Sequence, residues 1–160
     1  MATAVDITRL GVEHAGEALT LQRAAYVTEA QLYRDPHLPP LTETLDEMAG
    51  QLASSAIIAL GAWDHHRLVG AVRLRPDDAV AHLGRLIVAP DRWGEGIGSA
   101  LLVACEQALN ANSRVAEIRL FTGADSLRTL RLYERHGYRR QREEPAGTHT
   151  LVHLTKVLES

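Results

Sequence analysis

The feature that most constrains the fold is a glycine-rich loop between an apolar strand and an amphipathic helix. The strand spans residues 80–88 and is interrupted by Pro90, and a helix follows from about Ile97 to Asn110. Between them stand three glycines at alternate positions: Gly94, Gly96 and Gly98. Glycine permits close approach of a ligand to the backbone, and the free amides of a helix N-terminus attract anions. This arrangement favours a phosphate or pyrophosphate site over a simple tight turn.

Two widespread phosphate-binding motifs do not match this loop. A P-loop requires Lys followed by Ser or Thr after the glycines, and no lysine is present here. A dinucleotide fingerprint requires a third glycine where the chain has Ser99, and its ribose-binding acid would have to be Glu117, at the wrong end of its strand. Both nucleotide interpretations are therefore disfavoured.

Hydrophobic periodicity predicts an α+β domain with the element order β-α-α-β-β-β-α-β-α-β-β. Thr44 and Glu47 have capping-box spacing at the start of the second helix. The crossover helix between strands 80–88 and 115–121 makes those strands candidates for a parallel pair. The other predicted strands cover residues 3–10, 56–63, 67–75, 138–143 and 148–157, and the other predicted helices cover 14–32, the segment after Thr44, and 126–136.

Length and charge limit the function classes. The 160 residues suit one domain, 1–160, and a net charge of -3 argues against non-specific binding of nucleic acid. No apolar run approaches the ~20 residues that span a bilayer. Cys105 is the single cysteine, which favours a reducing, cytoplasmic location. We expect no metal site, because His136, His149 and His153 lack clustered carboxylates.

Two motifs resemble those of the Gcn5-related N-acetyltransferase (GNAT) superfamily. In that family a strand ends in V-x-P and is followed by [Q/R]-x-x-G-x-[G/A]. In this chain Val88-Ala89-Pro90 precedes Trp93-Gly94-Glu95-Gly96-Ile97-Gly98. Trp93 thus replaces the Gln or Arg of the family motif. The last helix of the family carries N-x-x-[A/S]-x-x-L-Y-x-x-x-G-[F/Y], which matches Leu132-Tyr133-Glu134-Arg135-His136-Gly137-Tyr138, with Ser126 in place of Asn. The motifs occur in the family's order.

The resemblance implies a mixed, mostly antiparallel sheet with a splayed parallel pair, flanked by helices. It also implies acetyl-CoA as co-substrate, with Arg92 as a candidate cation beside the loop. The cofactor-binding residues implied in this way are Leu86, Ile87, Val88, Arg92, Trp93, Gly94, Gly96, Ile97, Gly98, Ser99 and Ser126. A locally basic end of the last helix is interpreted mostly as a solvated face, with one or two of its residues as candidates for contact with the 3'-phosphate of CoA: Arg128, Arg131, Arg135, Arg139 and Arg140.

By the same resemblance, Tyr133 donates a proton to the departing thiolate; a phenol, with a pKa of roughly 10, suits a thiol leaving group. A purely packing role for Tyr133 is the alternative. The general base remains open among His82, Glu29, Tyr33 and a water chain. The acceptor, a small-molecule or peptide amine, should meet Tyr26, Glu29 and Tyr33. A non-catalytic acyl-CoA-binding module of the same fold is the alternative function, and a homodimer is possible for the family.

Overall fold

The computed structural model describes residues 4–110 and 113–159, which fold around one seven-stranded sheet with the order β1-β2-β3-β4-β5-β7-β6. The strands are β1 (Asp6–Arg9), β2 (Ile58–Asp64), β3 (Arg67–Asp77), β4 (Val80–Val88), β5 (Glu117–Gly123), β6 (Arg139–Ala146) and β7 (His149–Val157). The helices are α1 (Ala15–Tyr33), α2 (Pro39–Thr42), α3 (Leu45–Ala53), α4 (Ile97–Asn110) and α5 (Leu127–Arg135).

The sheet is antiparallel except between β4 and β5, which confirms the predicted mixed sheet. The parallel contact consists of three register pairs, from Val80 opposite Glu117 to His82 opposite Arg119. Beyond His82, no further pairing joins β4 to β5 in the described part of the chain. The two strands therefore separate towards their C-terminal ends and leave a gap in the middle of the sheet.

A β-bulge in β4 lies beside this gap. Arg73 of β3 pairs with Gly84, but Ala71 pairs with Ile87, so β4 has one extra residue over this stretch. Arg85 within the bulge has φ 53°, a left-handed conformation that non-glycine residues seldom adopt. Because a bulge bends its strand and increases the local twist, it turns the end of β4 away from the direction of β5.

Helices cover both faces of the sheet around the gap. On one face α1 packs against β3 and β4 and buries Ala18, Leu21 and Gln22. On the other face α4 packs against β2, β3 and β4, with Leu101 fully buried. Helix α5 lies beside α4, since a methyl group added at Gly98 would lie 3.0 Å from Leu132.

Local sequence signals explain several helix boundaries. The predicted capping box is confirmed, because the Glu47 amide donates to the Thr44 hydroxyl at 3.1 Å and the Thr44 amide donates to the Glu47 carboxylate at 2.9 Å. Helix α1 ends with Arg34 in the left-handed conformation, before the proline-rich segment. That segment forms the short helix α2, which begins at Pro39 and was not predicted; proline is well tolerated in a first helical turn.

The strand boundaries differ modestly from the sequence-based ones. The strand predicted over 3–10 is shorter, at Asp6–Arg9, and residue 3 lies outside the described part. The strand predicted over 138–143 extends to Ala146, because β6 pairs with β7 through Pro145 and up to the turn at Gly147. Proline is accepted there because β6 is an edge strand of the sheet.

Tight contact between Gly123 and Tyr33 gives a first testable prediction. A methyl group at Gly123 would overlap the Tyr33 ring, whose Cε2 lies 2.8 Å from its ideal position. We therefore expect Gly123→Ala to lower the free energy of unfolding by about 1–3 kcal/mol through overpacking, measured by urea denaturation. Gly50→Ala is the control: it lies inside α3 with nothing within 4 Å and should raise stability slightly. Equal effects of the two substitutions would contradict this packing.

Candidate active site

The glycine loop connects the open end of β4 to the N-terminus of α4. A short 3-10 helix (Pro90–Arg92) is followed by Gly94 with φ 81° and Gly96 with φ 83°, before α4 begins at Ile97. Both values lie in the region that favours glycine, so the path of the loop depends on these two residues. The first amides of α4 are thereby brought next to the gap between β4 and β5, where an anion can receive their hydrogen bonds.

Trp93 occupies the position where the motif usually has a polar or basic residue. Its indole Nε1 donates to the carbonyl oxygen of Val88 at 3.1 Å, which ties the loop to the end of β4. The guanidinium carbon of Arg128, on α5, lies 3.4 Å from the centre of the indole ring. This cation–π contact joins the elements that follow β4 and β5 and places the Arg128 guanidinium beside the glycine loop. Partial burial lowers the pKa of Arg128, and Glu29 opposes that effect.

Arg92 is engaged elsewhere. Its Nε donates to the Glu95 carboxylate at 2.9 Å and its Nη1 donates to Asp64 at 2.9 Å. The two carboxylates hold the Arg92 side chain, which is 14% exposed, against the end of β2. The cation that lies against the ring of Trp93 is Arg128, one of the five arginines that the sequence offers as candidates for a CoA phosphate.

A polar cluster joins the end of α1 to the loop that follows β5. Ser126 Oγ donates to the Glu29 carboxylate at 2.6 Å and lies 2.7 Å from the Tyr33 hydroxyl. The Tyr33 hydroxyl also accepts from the Asp125 amide at 3.1 Å, and its ring lies 4.4 Å from that of His149. Burial raises the pKa of Tyr33, while the hydrogen bonds with Ser126 and the Asp125 amide oppose it. Tyr33 thus anchors the end of α1 to the loop before α5.

Two tyrosines lie on the helices next to the ends of β4 and β5. Tyr133, on α5, is 4% exposed, and its ring lies 5.5 Å from that of Tyr138 in an edge-on contact. Tyr26, on α1, is half-buried and packs against the core. Burial raises the pKa of Tyr133 well above its usual range, and the negative charge of an ionised Tyr26 raises it further.

His82 lies where the parallel pairing of β4 and β5 ends. It is half-buried, and its neighbours in the sheet are Arg75 on β3 and Arg119 on β5. By strand alternation it shares a face with Gly84, on the side covered by α1. Arg85 lies three residues further on, roughly 10 Å along the strand, so His82 stands at the closed end of the gap.

A buried ionic cluster lies beneath α1, and the sequence motifs did not reveal it. Glu43, 8% exposed, accepts hydrogen bonds from Arg73 Nη2 at 2.9 Å and from Gln22 Nε2 at 2.8 Å. Arg85 Nε lies 3.5 Å from the same carboxylate oxygen. Desolvation favours the neutral acid, but Arg73, Gln22 and Arg85 prevail and hold the pKa of Glu43 below its usual range. The sequence does contain one indication of this cluster: Arg73 interrupts the otherwise apolar stretch from Leu68 to Leu74, and a buried charge requires a partner.

Within the described residues no three His, Cys, Asp or Glu side chains lie close enough together to hold a metal ion. No helix among these residues is long and apolar enough to cross a membrane.

The comparison with protein families decides the classification. The profile of the Acetyltransferase (GNAT) family matches residues 23–138, which is most of the chain and includes the loop, the gap and both tyrosines. The chain belongs to the GNAT family. No curated protein sequence matches it. The family assignment confirms the resemblance on which the sequence analysis relied.

Solved structures confirm the GNAT fold. The PaiA N-acetyltransferase of Thermoplasma acidophilum in complex with coenzyme A is 20% identical, with a TM-score of 0.84 over 98% of this chain and 100% of that one. The ribosomal-protein-S18-alanine N-acetyltransferase of Escherichia coli is 16% identical, with a TM-score of 0.78 over 98% and 96%. A spermidine N-acetyltransferase SpeG chimera from Vibrio cholerae and hSSAT is 16% identical, with a TM-score of 0.75 over 97% and 96%.

The residues present fit acetyl-CoA, the co-substrate of this GNAT protein. The glycines with positive φ bring the amides of α4 to the gap, as a pyrophosphate requires. The unpaired ends of β4 and β5 leave main-chain groups free to bind an extended pantetheine arm. Gly98 has a packing function as well, because it allows the close approach of α5.

Proposed function

We propose that this protein is an N-acetyltransferase that moves the acetyl group of acetyl-CoA directly to a primary amine. The observation that supports the proposal is a buried phenol, Tyr133, on the helix that follows β5 and packs against α4 close to the glycine loop. A binding module would need the glycine loop and the gap, but it would not need a proton donor at that position.

The cofactor site combines main-chain and side-chain groups. The backbone of Leu86, Ile87 and Val88 would hold the pantetheine arm, although the Val88 carbonyl already accepts from Trp93. The backbone from Gly94 to Ser99 would hold the pyrophosphate. The Ser126 hydroxyl already contacts Glu29 and Tyr33, so any contact with the pantetheine arm would be made in addition to these two. When bound, acetyl-CoA supplies an activated thioester carbonyl.

Tyr133 holds the proton that the leaving sulfur requires. Its raised pKa means that the phenol stays protonated above the usual tyrosine range, so the acid form is present throughout neutral and moderately alkaline pH. The attacking ammonium must lose a proton, and this step takes place on the other side of the gap, the side that α1 covers. There Glu29 lies at the mouth of the gap, and His82 lies at its closed end and would need a water chain to reach the amine.

Direct transfer agrees with the environment of Cys105. This thiol is fully buried in α4, and burial raises its pKa to about 12. A thiol that stays protonated and lies inside the core cannot serve as an acetyl carrier. Cys105 is the single cysteine of the sequence, so no other thiol could carry the acetyl group.

The test is a two-substrate initial-rate study with acetyl-CoA and a panel of amines, combined with mass spectrometry of the amine and the protein. We expect intersecting, sequential kinetics, an acetylated amine and no acetylated Cys105. Ping-pong kinetics with acetyl on the protein would exclude direct transfer. Acetyl-CoA binding without product from any amine would favour a non-catalytic acyl-CoA-binding module.

Arg128 gives a prediction about the cofactor. Because Trp93 holds the guanidinium beside the glycine loop, we expect Arg128→Gln to weaken acetyl-CoA binding about fivefold to tenfold, as suits the loss of one exposed charge contact. Arg131→Gln, on the same helix and exposed, is the matched control and should leave affinity unchanged. Calorimetric titration measures both.

Titration with dephospho-CoA locates the contact of Arg128. If the guanidinium meets the pyrophosphate, the same loss appears with dephospho-CoA; if it meets the 3'-phosphate, the loss disappears. Equal acetyl-CoA affinity of the Arg128 and Arg131 variants would remove Arg128 from the cofactor site.

A further inference from the structure

The cluster around Glu43 carries more positive than negative charge on the α1 side of the gap. Two guanidinium groups, those of Arg73 and Arg85, share the single Glu43 carboxylate. Arg73 makes the shorter contact, with Nη2 2.9 Å from the Glu43 carboxylate, 3.5 Å from Gln22 Oε1 and 2.9 Å from Met48 Sδ, and its side chain is 13% exposed. The neutralising carboxylate is therefore bound mainly by Arg73, which leaves Arg85 as the excess cation.

Arg85 is placed to meet a ligand. Its side chain lies on the α1 side of the sheet and is 28% exposed, compared with 13% for Arg73. Among the described residues, its side-chain hydrogen bond runs from Nε to Glu43 at a long 3.5 Å, and none is made by the two terminal nitrogens. Arg85 lies in the β-bulge of β4 with φ 53°, on a strand that borders the gap.

Opposite charges lie along one face of α1. Gln22, Tyr26 and Glu29 stand at helical spacing, so their side chains share this face. Gln22 donates to Glu43, which also binds Arg85, and Glu29 follows about one turn beyond Tyr26. The Arg85 guanidinium lowers the pKa of Tyr26 and the Glu29 carboxylate raises it, against the larger effect of burial. A cation and an anion thus lie on the α1 side of the sheet, one before and one after Tyr26 along the helix.

We propose that the acceptor is a small amine that also carries a carboxylate, that is, a free amino acid in the broad sense. The terminal nitrogens of Arg85 bind the carboxylate as a two-pronged donor, and Glu29 faces the ammonium group. This inference rests on the proposed N-acetyltransferase activity and specifies its substrate class. The proposal disfavours polyamines as acceptors, because all of their charges are positive and would be repelled by Arg85.

The first test uses matched acceptor pairs. The probes are L-amino acids, β-alanine and 4-aminobutyrate, each compared with its own amide, together with spermidine. We expect kcat/KM for the best carboxylate to exceed that of its amide by about tenfold or more, the value of one charge-assisted contact. Equal or faster turnover of the amides, or preference for spermidine, would overturn the proposal.

The second test uses variants. Arg85→Gln should raise KM for the preferred carboxylate about tenfold, with kcat changed less than threefold, and should abolish the preference over the amide. Arg85→Lys keeps the positive charge but loses the two-pronged guanidinium donor. Its KM and its preference for the carboxylate should lie between those of the wild type and of Arg85→Gln. Arg75→Gln, an exposed arginine on the neighbouring strand, should change none of these values. Unchanged acetyl-CoA affinity verifies that each variant is folded, and an unchanged preference in Arg85→Gln would overturn the proposal.

A binding measurement separates this inference from the proposed activity. The CoA-loaded protein is titrated with the N-acetyl derivatives of the panel and with their amides. Carboxylate-dependent binding that is lost in Arg85→Gln supports the inference even if no amine is turned over. Rapid turnover without carboxylate preference would leave the enzyme assignment standing and remove this substrate class.

Discussion

Replacing Tyr133 with Phe is expected to lower kcat by about 100-fold while changing the acetyl-CoA dissociation constant by less than about threefold. The magnitude is that of a positioned general acid, and the phenol is the polar group that this substitution removes. Because burial keeps the pKa of Tyr133 well above the usual range, the wild-type rate should show no decline from loss of this proton up to about pH 10.

Tyr138 provides the matched control for Tyr133. It is a second buried tyrosine in edge-on contact with the first, and its hydroxyl is buried without a hydrogen-bond partner in the described chain. Tyr138→Phe should therefore preserve turnover and leave stability equal or slightly higher, since an unsatisfied buried donor is removed. If both variants keep wild-type kcat, or both lose it equally, Tyr133 packs the helix and does not supply the proton.

Replacing Gly96 with Val is expected to reduce acetyl-CoA affinity at least 100-fold and to leave the domain folded. Gly96 has φ 83°, so a β-branched residue would shift the backbone that presents the amides of α4. A bulky side chain here would also obstruct the close approach of a pyrophosphate to the main chain. Calorimetric titration measures the loss, and thermal denaturation monitors the fold.

Gly147→Val is the control for backbone strain. Gly147 also has positive φ, 64°, and a Cβ there meets nothing within 4 Å, but it lies in the turn between β6 and β7. The two substitutions should lower the free energy of unfolding by similar amounts. Only Gly96→Val should also lose affinity for acetyl-CoA. Full affinity in Gly96→Val would show that the loop does not hold the cofactor.

Local signals made much of this fold predictable. The order of strands and helices follows from apolar periodicity punctuated by glycine and proline, and the capping box at Thr44 is a three-residue pattern. The parallel relation of β4 and β5 follows from the length of the crossover between them. Each of these features depends on residues that are close together in the sequence.

The remaining parts of the site depend on contacts between distant segments. Arg128 reaches Trp93 across 35 positions, and Arg73 reaches Glu43 across 30. Neither pair has a periodic or spacing signature. Arg92, the cation that the sequence suggested beside the loop, binds Glu95 within the loop, and it also binds Asp64, a partner that only the fold of the β2–β3 hairpin brings near.

Tyr33 illustrates the same limit. From the sequence it was a candidate base and acceptor-binding residue at the end of the first helix. In the fold its hydroxyl lies against Ser126 and the Asp125 amide, and its ring fills the space beside Gly123. These long-range contacts make it an anchor between α1 and α5, while its proposed contact with the acceptor remains to be tested.

The most direct test of the central claim is a single-turnover experiment with acetyl-CoA labelled in the acetyl group, excess protein and the full panel of amines, which includes the amino acids, their amides and spermidine. We predict that the label passes quantitatively to the amine, that free CoA appears at the same rate, and that no labelled protein accumulates. Label that stays on CoA with every amine, despite saturated binding, would contradict the claim that this GNAT protein is an N-acetyltransferase.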